Sequence, residues 1–374
     1  MSDRDFKGLF RRWIMSVDRI TLFIIMTIIS IGVWVCIAST PAVALKLGLS
    51  PFHFVRQHMM IVPISVLLII VISFFQTRHI RRLALIGYFA CIFLMICVLL
   101  IGSEIKGARR WISIMGFSLQ PSEFLKPVMT IITAWLIAEQ YRDRKFPGII
   151  ISIFTILFAI PFLLLQPDVG MSVVIISTWV SQLFVSGISV FILCMFVVGA
   201  LGSSVGLYFI LPHFAERINK FLMKDGADTD LYQVQKSLEA FRNGGFFGKG
   251  PGEGVVKTLV PDAHSDFVFS VIGEEFGFLL CIIIVGLFIC FIVRSLVRVM
   301  ESSSMFCFSA VFGICFQFTM QILINLSTSL NLIPTKGMTL PFISYGGSSL
   351  LSSSVSIGIL LALTKRNSMQ REIL

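Results

Sequence analysis

Hydrophobic residues in this chain fall into long uninterrupted runs that are separated by short polar segments. Most of these runs reach the ~20 apolar residues that an α-helix needs to cross a hydrocarbon core. The pattern predicts an all-α polytopic membrane protein that forms a single domain over residues 1–374. The ten predicted spans are 20–39, 58–76, 83–102, 122–140, 148–165, 169–186, 189–211, 267–293, 306–326 and 345–364.

Composition supports the same class of protein. Hydrophobic residues make up 56% of the chain and charged residues only 13%, whereas soluble domains carry about 25% charged residues. The formal net charge of +10 is explained by Lys and Arg in cytoplasmic loops, so nucleic-acid binding is not indicated. The first apolar run has full span length with no small-residue cleavage site after it, which predicts a permanent span and not a cleaved signal peptide.

The eight cysteines all lie inside apolar runs. They form no C-x-x-C pair, and none lies near a His at metal-ligand spacing. Buried cysteine behaves as a small hydrophobic residue. We therefore expect neither disulfides nor a metal site built on cysteine.

The distribution of basic residues predicts the topology. Lys and Arg are concentrated in residues 1–19, in alternate loops and in the tail 365–374, which places both termini in the cytoplasm. The large loop 212–266 then lies outside, between the seventh and eighth spans. It contains a short polar helix, "DTDLYQVQKSLEAFRN", and a glycine-rich run, "GGFFGKGPGEG". This run is either a flexible connector or a loop that packs its backbone against a substrate.

Four polar clusters fall at the outer membrane boundary. Ionisable residues in a membrane cost about 2.5–3.5 kcal/mol at the bilayer centre, so they usually have a partner or a function. The four clusters are "GARRW" with "QPSEFLK", "QPDVG", "PDAHSDF" and "LIPTKGMTLPFISYGGSS".

Asp266 precedes the eighth predicted span directly. Its carboxylate could cap that helix, since backbone N–H groups and the helix dipole favour an anion there. Alternatively, it could act as a general base in a cavity that opens to the outside. His264, two residues earlier, would orient the loop or assist the base, or be only structural.

Arg110 and Lys336 are cations on the outer side, against the usual bias. They could clamp a diphosphate, or Arg110 could pair with Glu123 or with lipid head groups. Lys126 follows Glu123 by three residues, so these two can form an ion pair on one helix face.

Three further acidic residues lie near the same boundary. Asp168 follows a span in a tight turn and could cap the next helix. Glu274 and Glu275 lie about two turns into the eighth predicted span. At least one of them must face the bundle interior, where a cation is its expected partner.

The four clusters, with "GGFFGKGPGEG" and "IGEEFG", together resemble the SEDS family of bacterial cell-wall synthesis, in order along nearly the whole chain. Lys336 and "IGEEFG" favour the cell-division branch of the family over the elongation branch. The resemblance implies a peptidoglycan glycosyltransferase that polymerises lipid II, a disaccharide-pentapeptide on undecaprenyl diphosphate. It also implies an extracytoplasmic site on the inner membrane, at the division septum.

The resemblance implies roles for particular residues. Asp266 aligns with the essential Asp of the family, and Arg110 and Lys336 align with its basic residues. Ser265 stands where Thr is usual, and Arg109 is an additional Arg beside Arg110. The other residues that we expect to contact the substrate are His264, Ser265, Glu123, Lys126, Asp168, Glu274, Ser344 and Gly346.

The expected partners are a class B penicillin-binding protein, other membrane proteins of the divisome, and membrane lipid. No cofactor is required by the pattern, although Mg²⁺ or Mn²⁺ could neutralise the leaving diphosphate. Two other functions stay open. A lipid II flippase would need paired sites with alternating access, and a non-enzymatic scaffold would not need the Asp266 carboxylate.

Overall fold

The computed structural model describes residues 11, 13–105, 108–114, 117–189, scattered positions between 191 and 219, 229–333 and 337–365. Helices dominate the described residues. They are α1 (Arg19–Lys46), α2 (His53–Ser73), α3 (Thr77–Ile101), α4 (Pro121–Arg142), α5 (Gly148–Leu165), α6 (Val169–Val185), α7 (Thr229–Gly244), α8 (Val268–Glu275), α9 (Gly277–Met300), α10 (Met305–Ser329) and α11 (Gly347–Leu363).

The all-α polytopic fold is confirmed. Six of the described helices, namely α1, α2, α3, α5, α9 and α10, are long and apolar enough to cross a membrane, and α6 and α11 are shorter apolar helices. The seventh predicted span, 189–211, lies mostly outside the described residues. The count of ten spans therefore stays a prediction.

The eighth predicted span is wrong as a single helix. The chain forms α8 and α9 instead, and they are separated at Phe276. Gly277 begins α9 with a φ of 79°. This left-handed conformation, which glycine adopts readily, interrupts the regular helix. Glu274 and Glu275 consequently end a short helix and do not lie within a long one.

A small antiparallel sheet, β1-β2-β3, follows α3 where only a loop was expected. Its strands are β1 (Ser103–Ile105), β2 (Ala108–Ile114) and β3 (Phe117–Leu119). The three residues of β1 and of β3 are too few to give a readable alternation of polar and apolar positions, and the seven residues of β2, "ARRWISI", do not alternate strictly. The sheet carries Arg110 on its central strand.

Helix α4 lies at the centre of the bundle, where it packs against α3, α5, α6, α10 and α11. This position explains how α4 tolerates polar residues, because protein and not lipid surrounds them. Gln182 of α6 links the helices: it accepts a hydrogen bond from Thr133 Oγ1 (2.6 Å) and donates to the carbonyl oxygen of Thr130 (2.9 Å).

The glycine-rich run packs its backbone against the α8–α9 junction. A Cβ atom at Gly244 would lie 1.9 Å from the carbonyl oxygen of Gly273, and one at Gly248 would lie 2.2 Å from that of Glu275. Lys249 N and Gly250 N donate to the carbonyl oxygens of Glu274 and Glu275, each at 2.9 Å. These bonds satisfy carbonyl groups that a helix end leaves without intrahelical partners. The run is therefore packed structure and not a flexible connector.

This close approach predicts different effects for two alanine substitutions in the same loop. Gly248 and Gly252 have φ values of 82° and 89°, but a Cβ at Gly252 would meet nothing within 4 Å. We expect Gly252→Ala to lower the free energy of unfolding by about 1 kcal/mol through the left-handed backbone alone. Gly248→Ala should cost about 3 kcal/mol, because its Cβ also displaces the carbonyl of Glu275.

Thermal unfolding of the two variants in detergent measures this difference. Equal destabilisation by both substitutions would contradict the packed arrangement.

Candidate active site

The segment that carries Asp266 is a tight turn in front of α8. The carbonyl oxygen of Asp262 accepts hydrogen bonds from Ser265 N (3.0 Å) and Asp266 N (3.2 Å). Phe267 occupies the N-cap position of α8, and its side chain makes no capping hydrogen bond. Asp266 thus lies one residue before the N-cap position, and it is half-buried.

The segment after α10 lies directly against Asp266. A Cβ atom at Gly337 would lie 3.1 Å from Asp266 Oδ2. Asn325 of α10 joins the two segments, since its Nδ2 donates to the carbonyl oxygens of Asp266 (3.0 Å) and Met338 (2.7 Å). The motif around Gly337 thus meets the Asp266 turn although the two are far apart in sequence.

Ser344 fixes the same contact from further along the segment. Its buried hydroxyl donates to the carbonyl oxygen of Ser265 (2.5 Å) and accepts from Leu340 N (2.8 Å). Tyr345 N donates to the carbonyl oxygen of His264 (2.9 Å). Ser344 is thereby a brace between two loops, and Gly346 is the N-cap residue of α11.

An aromatic side chain at the start of α2, Phe54, packs beside this site. The ring of Phe54 stacks on His264 at 5.4 Å between centroids and contacts Tyr345 at 5.2 Å. Tyr345 OH donates to Gln57 Oε1 at 2.5 Å. Sequence reasoning missed Phe54, Gln57 and Tyr345. The polar stretch "HFVRQH" at the start of an apolar run was the signal that could have found the first two.

Arg110 braces the turn between α5 and α6. Its Nε donates to the carbonyl oxygen of Gln166 at 2.9 Å, its Nη2 donates to that of Pro167, and its Nη1 lies 3.9 Å from Asp168 Oδ1. Asp168 caps α6, as expected, by accepting from Met171 N at 3.4 Å. The described contacts of Arg110 are thus with this turn and not with Glu123.

The Arg110 and Asp266 clusters meet at the first turn of α11. Ser348 Oγ accepts from Gln120 N at 2.9 Å, and the side chain of Gln120 donates to Asp168 Oδ2 at 3.2 Å. The next residue, Ser349, shares a 2.6 Å hydrogen bond with Thr339 Oγ1 in the segment beside Asp266. Two neighbouring serines therefore connect the clusters.

Glu123 and Lys126 form the predicted ion pair on α4. Lys126 Nζ lies 2.7 Å from Glu123 Oε2, and both side chains are buried. Ser352 of α11 donates to the carbonyl oxygen of Glu123 at 2.7 Å. The ion pair is therefore inside the bundle, next to Ser352, which lies one turn after the two serines of α11 that connect the clusters.

Glu274 and Glu275 are both buried inside the protein, and both bind donors from the preceding loop. Glu274 accepts hydrogen bonds from Asn243 Nδ2 (2.8 Å), Val256 N (2.8 Å) and Lys257 N (2.7 Å). Glu275 forms an ion pair with Lys257 Nζ, which is the cation expected for one of the two carboxylates. This geometry gives Glu274 a structural role in holding residues 243–257 against α8.

Lys336 lies outside the described residues, and in the sequence it directly precedes Gly337. Across the part of the chain that the structure describes, no group of three or more His, Cys, Asp or Glu residues is arranged to hold a metal ion.

The protein is thus a helical membrane protein that carries an acidic residue, Asp266, at one end of its helical bundle. Residues 18–369 match the FTSW_RODA_SPOVE family, described as "Cell cycle protein". The chain therefore belongs to this family, which confirms the resemblance to SEDS proteins.

Relatives and solved structures agree with this assignment. A "Probable peptidoglycan glycosyltransferase FtsW" of Caulobacter vibrioides is 38% identical over 98% of this chain and 93% of its own. A second protein of that name, from Trichlorobacter lovleyi, is 32% identical over 92% of each chain.

Two solved structures share the fold. One, described as "Structural coordination of polymerization and crosslinking by a peptidoglycan synthase complex", is 25% identical with a TM-score of 0.78, over 95% of this chain and 99% of that one. The rod shape determining protein RodA of Thermus thermophilus is 24% identical with a TM-score of 0.69, over 95% and 98% of the two chains.

The geometry around Asn325 predicts that this side chain stabilises the site. Asn325→Leu removes the donor that both the Asp266 and Met338 carbonyl groups use, so we expect the free energy of unfolding to fall by about 1–3 kcal/mol. Thr319→Val on the same helix is the matched control, because among the described residues Thr319 Oγ1 donates to Cys315 O of its own helix (2.9 Å) and to no other segment.

Thermal unfolding in detergent, together with proteolysis of the segment 337–345, measures both variants. If Asn325→Leu matches Thr319→Val in both assays, Asn325 does not hold the two segments together.

Proposed function

We propose that this protein polymerises lipid II into glycan strands during septal cell-wall synthesis. The observation that carries the proposal is the Asp266 carboxylate, half-buried at the end of a helical bundle whose relatives are named peptidoglycan glycosyltransferases. Lipid II needs a site at such a boundary, because its undecaprenyl chain stays in hydrocarbon while its sugars stay in water.

In the proposed reaction Asp266 is the general base. Its carboxylate takes the proton from the 4-hydroxyl of the acceptor GlcNAc, and that oxygen attacks C1 of the donor sugar with inversion. Undecaprenyl diphosphate leaves with the bonding electrons. The contacts of Asn325 and Gly337 support this role, since general bases act only when they are held within reach of the proton they remove.

The charge that develops on the diphosphate requires a cation. Lys336 is suited to this role because it directly precedes Gly337, which lies against the carboxylate. Arg110 is assigned a positioning role, since its guanidinium already binds the turn at residues 166–168. A divalent ion would supply further charge when bound.

The proposed orientation places both termini in the cytoplasm and the site on the outer side of the inner membrane, as the distribution of basic residues favours. A class B penicillin-binding protein would cross-link the product. The similarity to a chain from a peptidoglycan synthase complex supports such a partner.

The proposal predicts that Asp266→Asn abolishes polymerisation. Because the amide cannot accept the proton, we expect the rate to fall by roughly 10²–10⁴. The assay uses purified lipid II, this protein and its partner with the transpeptidase blocked, and it scores glycan length on gels.

Retained thermal stability and partner binding are the controls for folding. Equal polymer from wild type and Asp266→Asn would remove Asp266 as the base. Absence of polymer from both proteins would favour a flippase or a scaffold.

A second prediction separates the two roles considered for Arg110. If Arg110 braces the 166–168 turn, Arg110→Lys should lower the free energy of unfolding by about 1–2 kcal/mol, because Lys lacks the planar fork that binds this turn. The KM for lipid II should then stay within about twofold of the wild-type value. Arg109→Lys is the matched control, since Arg109 is half-exposed and pairs only with exposed Glu104 at 3.5 Å among the described residues.

Thermal unfolding and the lipid II dependence of the rate are measured for both variants. A KM raised about tenfold in Arg110→Lys with unchanged unfolding would assign the guanidinium to the diphosphate instead.

A further inference from the structure

Two aromatic side chains project from the otherwise packed glycine-rich run. Phe246 and Phe247 are 54% and 78% exposed, and their rings contact each other edge to face at 5.0 Å. Gly244 and Gly248, which lie on either side of the pair, are held against the α8–α9 junction. The pair therefore projects from a fixed base, and neighbouring exposed aromatic rings mark an interaction surface.

The position of the pair relative to the membrane follows from its contacts with α9. Phe278 N donates to the carbonyl oxygen of Gly245 (3.0 Å) and Leu279 N to that of Phe246 (3.2 Å). The rings of Phe246 and Phe278 lie 6.3 Å apart. Because Phe278 belongs to the first turn of a membrane-spanning helix, the pair lies at the depth where that helix enters the bilayer.

The exposed face of α9 continues from this point along the helix. Phe278, Ile282 and Ile289 are exposed, whereas Cys281 and Phe288 are buried in the bundle. Exposed apolar residues on a spanning helix face lipid. The two phenylalanines of the loop extend this lipid-facing surface at its end.

The charged residues near the two phenylalanines also fit a position at the membrane interface. Arg242 and Lys249 are exposed and flank the two phenylalanines in sequence. Aromatic and aliphatic residues beside Lys or Arg are typical of segments that lie in the membrane interface, where cations meet lipid phosphates. No acidic residue lies between Arg242 and Lys249 in the sequence.

We propose that residues 245–249 insert into the membrane, with Phe246 and Phe247 among the acyl chains and with Arg242 and Lys249 at anionic lipid head groups. The loop then anchors the α8–α9 junction to the bilayer surface. This interaction goes beyond the proposed function, because it concerns lipid binding and does not depend on glycan chemistry.

Fluorescence quenching in vesicles tests the proposal. Phe247→Trp is reconstituted into phosphatidylcholine vesicles with an anionic phospholipid fraction, with or without bromine on the acyl chains, and iodide is the aqueous quencher. The emission of the five native tryptophans is measured on the wild type and subtracted. Glu253→Trp is the matched control, since Glu253 is an exposed charged residue of the same run.

Brominated chains should quench the Phe247→Trp signal roughly twofold, as expected of a side chain buried at the acyl boundary, and iodide should have little effect. Glu253→Trp should show the reverse. Phe246→Trp is the second variant if Phe247→Trp does not fold.

Strong iodide quenching with no effect of bromine would overturn the proposal. Protection from both quenchers that arises only when the protein partner is added would also overturn it, in favour of a protein-binding surface.

Discussion

Two adjacent carboxylates inside the helical bundle govern the arrangement of the surrounding chain. Glu274 and Glu275 are almost completely buried at the end of α8, and an unsatisfied charge in that position would be strongly destabilising. Backbone and side-chain donors from residues 243–257 satisfy Glu274, and Lys257 neutralises Glu275. The loop can reach them only because glycines let its backbone approach. Fixing the end of α8 also fixes its beginning at Val268, two residues after Asp266.

The site itself is built from segments that are short and mutually braced. Asn325, Ser344 and the first turn of α11 each contact more than one loop. Such bracing would hold the proposed base, Asp266, in place before a substrate arrives, and accurate positioning is a large part of catalytic power. Glu274 and Glu275 are enclosed by the protein, whereas Asp266 is only half-buried.

Sequence predicted the apolar helices well, because length and hydrophobicity are local properties of the chain. It also located the polar helix α7 within one residue and indicated that one of the two glutamates needs a cation. It could not show that Lys257 is that cation, since the pairing depends on a loop folding back onto α8. The short sheet at residues 103–119 was likewise not predicted, because two of its strands have three residues each and the seven residues of β2 do not alternate strictly.

Other parts of the site were hidden for a related reason. Asn325 stands alone in an apolar helix, and nothing in its neighbours shows that it bridges two distant segments. Arg110 was recognisable as unusual, but its acceptors are backbone carbonyl groups of the 166–168 turn, which no side-chain pattern records. Contacts made through backbone groups are therefore the part of this site that is hardest to predict from the sequence.

The direction of protein synthesis gives the glutamate cluster a further property. The groups that bind Glu274 and Glu275 all precede them in the chain: they belong to Asn243, Val256 and Lys257. Ala38, whose carbonyl oxygen accepts a hydrogen bond from Lys257 Nζ at 3.0 Å, also precedes them. A ribosome therefore adds each of these partners before it adds either carboxylate. None of these described hydrogen bonds requires α10 or α11, which are synthesised later.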